Sequence, residues 1–445
     1  MMGWAAAGLA GCVLALVSSA VAAAGLMDAY YAARQNDPTL RAARYERDAG
    51  QYAVAIGRAG LLPNIGITGA YSKNRGERTY YTRAGSPTED LDYREEAAAI
   101  ALRQPLFNYD SFVRYRQGGV QAAFSDAVFD RKEAEFAVKL TTAYFEVLFS
   151  LERLALSDAE IAAYRSDRET SERRRRGGEG TVTEVAEAES RLQLARAGRA
   201  DAIDRLSVAM LRLETMTGKA MAPLWPLRPD FNPSAVQGVG LDQWSALAEE
   251  SSPEIRARRK SFEFASLEVE RNRAGHYPQL DLVARASRTQ GETLSTLDQR
   301  NVIHSVGVQV NIPFFAGGRV NALTDQAVAN RERARAELDA AINEVLVEVR
   351  RQFMAVETGA SKIAAYQKAV DASVVAVEGT LRGMRSGIRS NVDVLNAERV
   401  MFVARRDLAQ ARYEYLVGEL QLRAAAGVLS EKDLQETASL LLPPE

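Results

Sequence analysis

Apolar residues recur along this chain with two different periods. In one class of segment every second residue is apolar: Ile65, Ile67, Gly69 and Tyr71, then Ala98, Ile100 and Leu102. The same alternation returns in Leu280, Leu282, Ala284 and Ala286, and in Val306, Val308, Val310 and Ile312. A period of two predicts β-strands with one apolar face. Elsewhere the spacing is helical, as in Phe136, Leu140, Tyr144, Val147, Leu148 and Leu151. Polar stretches at 74–93 and 291–300 separate the alternating segments, which predicts two hairpins, 64–104 and 279–312, with strands of about ten residues. That length crosses an outer membrane when tilted. Four strands close no barrel by themselves, so insertion requires several copies of the chain, because open strand edges are not tolerated in lipid. A small hairpin on a soluble domain gives the same alternation.

Proline punctuates the helical segments. None occurs from Leu106 to Ala222 or from Phe314 to Leu442, and Ala, Glu, Arg, Leu and Gln dominate both stretches. The run from Pro105 to Arg176 predicts a helix near 100 Å long at ~1.5 Å per residue, far beyond a globular core and typical of coiled coils or tubes. Gly177-Gly178-Glu179-Gly180 and Ser386-Gly387-Ile388-Arg389 break the helices, and return helices are expected at 181–217 and 391–426. Two helical hairpins follow, with tips near 177–184 and 386–393.

The two halves are copies. Pro38 to Pro63 and Pro253 to Pro278 have the same length and align without gaps at an offset of 215. Gln104-Pro105-Leu106-Phe107 matches Ile312-Pro313-Phe314-Phe315, and Gly178-x-x-Thr181-x-x-Glu184-Val185 matches Gly387-x-x-Ser390-x-x-Asp393-Val394. Such self-similarity marks tandem structural units. The expected organisation is a leader over 1–24, a first repeat over 25–221 and a Pro-rich connector over 222–240. A second repeat over 241–430 and a tail over 431–445 complete it.

The uncharged run 5–24 ends in Ala20-Val21-Ala22 and Ala22-Ala23-Ala24, small-x-small patterns of a cleaved secretory leader, with cleavage near 22–24. No Lys or Arg precedes it, so an N-terminal anchor stays open. A lipoprotein also stays open, since Leu9-Ala10-Gly11-Cys12 resembles a lipid-attachment box. Cys12 is the sole cysteine, so the body has no disulfide framework and no Cys-based metal site. Beyond residue 24 no apolar run is long enough for a membrane-spanning helix, which leaves β-strands as the means of insertion.

Composition narrows function further. The hydrophobic share is 47%, charged residues make up 26%, and the formal net charge is −2, the profile of a folded protein without the basic excess of a nucleic-acid binder. Arg173 to Arg176 read as a solvated helix end, where cations are favoured. His276 and His304 have no partner pattern for metal, and no catalytic motif is present. The expectation is a non-enzyme without cofactors.

Thr142-Ala143-Tyr144-Phe145-Glu146-Val147-Leu148, Ile312-Pro313-Phe314-Phe315-Ala316-Gly317-Gly318 and Ala411-Arg412-Tyr413-Glu414-Tyr415-Leu416 resemble signatures of the TolC family of outer-membrane export channels. The resemblance spans about 26–436 and looks closest to the branch serving type I protein secretion. It implies a mostly α fold in which antiparallel helical hairpins form a tunnel through the periplasm. It further implies a homotrimer whose protomers each give four strands to one twelve-stranded barrel in the outer membrane. Implied partners are a periplasmic adaptor and an inner-membrane ABC transporter, with a proton-driven pump as the drug- or metal-efflux alternative. A soluble periplasmic coiled-coil scaffold is the reading from another class. By the resemblance, the tunnel closes at the hairpin tips, where Thr183, Glu184, Arg389 and Asp393 match the family's constriction. Two positions depart from it: Met384 stands where an aromatic hydroxyl is common, and Asn396 where a second Asp is common. Carboxylates at a helix start are also favoured by the helix dipole alone, so Glu184 and Asp393 fit a solvated role equally.

Overall fold

A computed structural model describes residues 25–221, 223–233, 240–293 and 296–443, without the side chains of 292–297. The leader, with Cys12 and the candidate cleavage sites, lies outside the described residues. Each half runs in the same order. The first contains α1 (Leu26–Asn36), α2 (Pro38–Ala59), β1 (Asn64–Thr79), β2 (Thr88–Phe107), α3 (Tyr109–Arg176) and α4 (Val182–Thr217). The second contains α5 (Leu241–Ser251), α6 (Pro253–Arg273), β3 (Gln279–Thr293), β4 (Thr296–Asn311), α7 (Arg319–Arg385) and α8 (Asn391–Ala425). A last helix, α9, spans Glu431–Ala438.

Local chemistry sets the boundaries. Pro38 and Pro253 occupy the first positions of α2 and α6, where a missing N–H costs nothing. Asp37 caps α2, its carboxylate accepting from the Thr39 and Leu40 amides at 2.8 and 2.9 Å. Asn108 caps α3 by accepting from Ser111 N at 3.1 Å. With 68 residues, α3 is about 100 Å long at ~1.5 Å per residue. Two eleven-residue helices, α1 and α5, precede the prolines. Three turns are too short for a period of 3.6 to stand out, so patterning alone does not announce them.

One antiparallel sheet holds all four strands in the order β1-β2-β3-β4. Its strands are 15 to 20 residues long rather than ten. The polar stretch 74–93 is mostly ladder, with unbroken pairing from Asn64↔Arg103 to Thr79↔Thr88. Charges that read as loop in one strand are cross-strand partners here. Arg75 and Lys73 both meet Asp92, at 3.3 and 3.8 Å, and Thr79 hydrogen-bonds Thr88 at 3.0 Å. In the second hairpin β3 likewise runs to Thr293 and β4 resumes at Thr296. Gly291 sits at φ +147, and a Cβ there would lie 2.2 Å from the Arg94 carbonyl, so β2 and β3 can approach only because this residue is glycine.

The register aligns the alternating residues into one apolar face. Ile65 stands opposite Leu102, Leu102 opposite Ala284, and Ala284 opposite Val306. Ile67, Ile100 and Ala286 form the next row. Ile67 and Val306 are about four-fifths exposed. Phe314 and Phe315 project at the base of the sheet, nearly fully exposed, where aromatic residues ring a membrane interface. The opposite face carries Arg103, Asp281, Arg285 and Ser305. Arg103 donates to the buried Asp281 carboxylate through Nε at 3.0 Å and Nη2 at 2.6 Å. Strands of about 50 to 65 Å, at ~3.3 Å per residue, exceed the ~25 Å apolar band of an outer-membrane barrel, which accounts for their polar outer halves.

Two shorter helices lie end to end along each long one: α2 then α4 along α3, and α6 then α8 along α7. The α2–α3 crossing is a backbone contact. A Cβ at Gly118 would lie 2.4 Å from the Ala53 carbonyl, and one at Gly57 would lie 2.7 Å from the Arg114 carbonyl. Midway along the molecule α1, α3, α8, α9 and the connector share the main core, built on Tyr30, Leu140, Tyr144, Phe145, Leu416 and Leu434. The Tyr144 hydroxyl accepts from Trp225 N at 3.0 Å, tying the connector to α3. The C-terminal segment pairs with that connector through Arg228 N to Leu440 O and Leu442 N to Pro226 O, both 3.0 Å.

Gly118→Ala is expected to lower the melting temperature because the new methyl meets backbone. Gly119→Ala, with nothing within 4 Å of its Cβ, should be neutral or stabilise by up to ~1 kcal/mol through helix propensity. Circular-dichroism melts of the two variants check this, and equal melting temperatures would remove the close-packing account.

Candidate functional site at the helical-hairpin tips

The far ends of α3–α4 and α7–α8 are built by one device used twice. α3 ends in four arginines, which favour a helix C-terminus electrostatically. Gly178 turns the chain at φ +80, and Glu179 N donates back to the Arg174 carbonyl at 3.0 Å. In the second tip Gly387 turns at φ +73, and Ile388 N donates to the Gly383 carbonyl at 2.9 Å. Both are glycine-terminated helix stops, where only glycine enters the left-handed region without strain.

The return helices then start with reciprocal caps. Glu184 N donates to Thr181 Oγ1 at 3.2 Å, and Thr181 N donates to Glu184 Oε2 at 3.1 Å. Asp393 N donates to Ser390 Oγ at 3.3 Å, and Ser390 N and Oγ both donate to Asp393 Oδ2 at 2.9 Å. The capping signature S/T-x-x-D/E thus fixes both carboxylates in space. Hydrogen bonds from the Ser390 amide and hydroxyl, with help from the Arg389 charge, hold the Asp393 carboxyl below the usual carboxylate range. Asp393 therefore stays ionised across the physiological range and takes up its proton only at lower pH than a free aspartate.

The other expected residues surround these caps. Thr183 lies exposed in the first turn of α4. Arg389 is exposed beside Asp393, with its amide on the Gly383 carbonyl at 3.2 Å. Met384 is half-buried in the last turn of α7, and its carbonyl accepts from Gly387 N at 3.1 Å. Asn396 accepts from Arg191 Nη2 at 2.8 Å, a link between α8 and α4. Patterning missed Arg191, and it missed a second tie between the hairpins, from Asn391 Nδ2 to Ser171 Oγ at 3.1 Å. Their partners lie more than 200 positions away, so one segment's pattern carries no trace of them.

The architecture is a β-sheet with one lipid-compatible face, set on helical hairpins of duct length. The sequence signature described as "Outer membrane efflux protein" matches residues 29–219 and 244–428. The chain belongs to the outer membrane efflux protein family. Members similar to it include the "Proteases secretion protein PrtF" of Dickeya chrysanthemi, 37% identical over 96% of this chain and 93% of that protein. The "Alkaline protease secretion protein AprF" of Pseudomonas aeruginosa is 36% identical over 97% and 90%. The "Outer membrane protein TolC" of Escherichia coli is 28% identical over 98% and 89%. Among solved structures, the outer-membrane channel OprN superposes with a TM-score of 0.76 at 18% identity, covering 90% of this chain and 89% of its own. VceC of Vibrio cholerae gives 0.75 at 18%, covering 90% and 96%. These likenesses agree with the fold. Like its relatives, this family member is an outer-membrane protein.

Ser390→Ala removes the cap of α8 and should loosen its first turn by about 1 kcal/mol. Protease cleavage within 386–390 of the folded protein is expected to quicken roughly fivefold. An unchanged rate would mean the cap contributes nothing to tip order.

Proposed function

We propose that this chain is the exit duct of a three-part export system, passing its substrate from an inner-membrane transporter and a periplasmic adaptor to the exterior. The observation that carries the reading is the open sheet. Among the described residues β1 and β4 each leave one edge without a strand partner, yet the sheet has an apolar face. In hydrocarbon those edges must be sealed by another copy. Exposed apolar residues on the helices make the same demand, among them Leu194 and Leu211 on α4 and Val347, Met354 and Val375 on α7. Three copies would close a twelve-strand barrel and enclose a helical tube beneath it.

The cargo is read as protein. Two relatives above 35% identity carry protease secretion in their names, whereas the "Toluene efflux pump outer membrane protein TtgI" of Pseudomonas putida is 23% identical. An ABC exporter fits a protein cargo; a proton-driven pump is the partner of the drug-efflux alternative. The duct itself catalyses nothing and needs no cofactor, since the transporter supplies energy and selects cargo. The leader over 1–24 would deliver the chain to the envelope.

Closure is assigned to the tips. Three copies would bring Thr183, Glu184, Arg389 and Asp393 into a ring around the inner mouth. Carboxylates in a narrow pore draw cations and repel anions. Arg389 of one copy is free to pair with carboxylates of the next through charge-assisted bonds. Met384 adds no hydroxyl and Asn396 no charge, so this latch holds with fewer ionic contacts.

Purified protein in planar bilayers is expected to form cation-preferring channels of low conductance and to run as detergent-dependent trimers. Arg389→Ala or Asp393→Ala should raise conductance severalfold by loosening the latch. A water-soluble monomer without conductance would refute the duct, and unchanged conductance in both variants would refute the tip assignment alone.

A further inference from the structure

The seam between α3 and α8 carries three acidic levels on its way to the tip. At the first, Glu152 accepts from the Tyr413 hydroxyl at 3.0 Å. At the second, Glu160 lies one turn before Tyr164 on α3, and burial raises its carboxyl above the usual range. The third, Asp167 on α3 against Glu398 on α8, differs in kind. Glu398 is only 8% exposed. Asp167 Oδ2 and Glu398 Oε2 are both sealed from water, and neither has a hydrogen-bond donor among the described residues. Antiparallel packing of the two helices sets Asp167 opposite Glu398, between the Ser171–Asn391 and Tyr164–Phe402 contacts. Asp167 as a whole is half-buried. Two carboxylates facing each other in a largely dry seam repel, whereas one proton between them turns the contact into a hydrogen bond.

The surrounding charges are committed elsewhere. On α3, Arg168 forms ion pairs with Glu172 at 2.9 Å and with Glu189 of α4 at 2.5 Å. On α4, Arg191 is bonded to Asn396. On α7, the exposed Glu378 pairs with Arg382, and Asp371 accepts from Gln367. On α8, Arg399 is exposed. Tyr164 stays neutral, since burial raises its pKa. Apolar contacts close the site: Tyr164 stacks edge-on against Phe402, and Leu192 and Leu395 pack beside it. The position matters mechanically. Asp167 lies nine residues before the end of α3, about 14 Å from the tip at ~1.5 Å per residue. Asn391–Ser171 lies one turn beyond it, so the carboxyl pair and this hydrogen bond are the two polar ties of the seam next to the mouth.

We infer that Asp167 and Glu398 share one proton and act as a pH-dependent clasp that holds the two hairpins together at the tip, releasing them when the proton leaves. The inference deepens the duct reading and rests on the tip being its closable end. Burial and the neighbouring Asp167 push the Glu398 pKa up to about 8. When the hairpins separate, Glu398 is solvated and returns to the ordinary glutamate range, near 4.3. The packed form is therefore fully favoured below that range. Its advantage falls as pH rises, by about tenfold per pH unit for one proton per protomer, and the fall ends above about 8.

Three readouts on the full-length protein in detergent or bilayers test this. The protonated-carboxyl stretch in infrared difference spectra should disappear on titration through about pH 8 in the wild type and be missing in Glu398→Gln. An identical titration in the variant would overturn the shared proton. Cleavage within 177–180 should quicken relative to Glu398→Gln as pH rises from 5 to 9, because the amide holds the clasp shut at every pH. A constant ratio of the two rates would overturn the clasp. Channel open probability should follow the same curve in the wild type and stay flat and low in the variant. Absent conductance, with the first two readouts as expected, would sink the duct reading and leave the clasp standing.

Discussion

An unpaired backbone group has no partner in hydrocarbon, and that constraint governs this molecule. Each copy brings four strands whose apolar residues share one face, and each leaves two edges open. In water such a sheet would expose Ile65, Ile67, Val306 and Val308. In lipid it would strand the edge amides of β1 and β4. Only closure with sister copies removes both penalties together. The 26% charged composition and the absence of a long apolar helix among the described residues follow from it, because alternating strands need only half their residues to be apolar.

The helical part answers a different demand. A 68-residue helix has no single core to lie on. Along its length α3 is held at three levels by three kinds of contact. Near the sheet, glycine lets the α2 backbone touch it. Midway, Tyr144 and Phe145 enter the aromatic core shared with α1, α8 and the connector. Near the tip, polar ties to α4 and α8 join a small apolar cluster of Tyr164, Leu192 and Leu395.

Much of this was legible in the sequence because strong local rules cover it. Pro38 and Pro253, the glycines at 178 and 387, and the Thr181–Glu184 and Ser390–Asp393 capping signatures fix element ends without tertiary help. The alternation Leu280 to Ala286 names the face that meets lipid. Strand length was not legible, because Lys73, Arg75 and Asp92 look like loop residues until the register pairs them. The short helices α1 and α5 offer too few turns to announce themselves. At the candidate site the residues were legible and their partners were not. Arg191 to Asn396 and Asp167 to Glu398 join positions far apart in the chain, and a charge on a long amphipathic helix reads as solvated.

The open edges can be tested in place. Since Cys12 is the only cysteine, the described body offers a clean background for engineered thiols. Pairs of cysteines, one on β1 and one on β4, scanned along both strands in protein resident in the outer membrane, would report which chains share an edge. Disulfide-linked dimers and trimers at a staggered set of pairs are the expected result. The absence of intermolecular linkage at every pair would mean that the sheet does not close with neighbours, and the barrel account would fall.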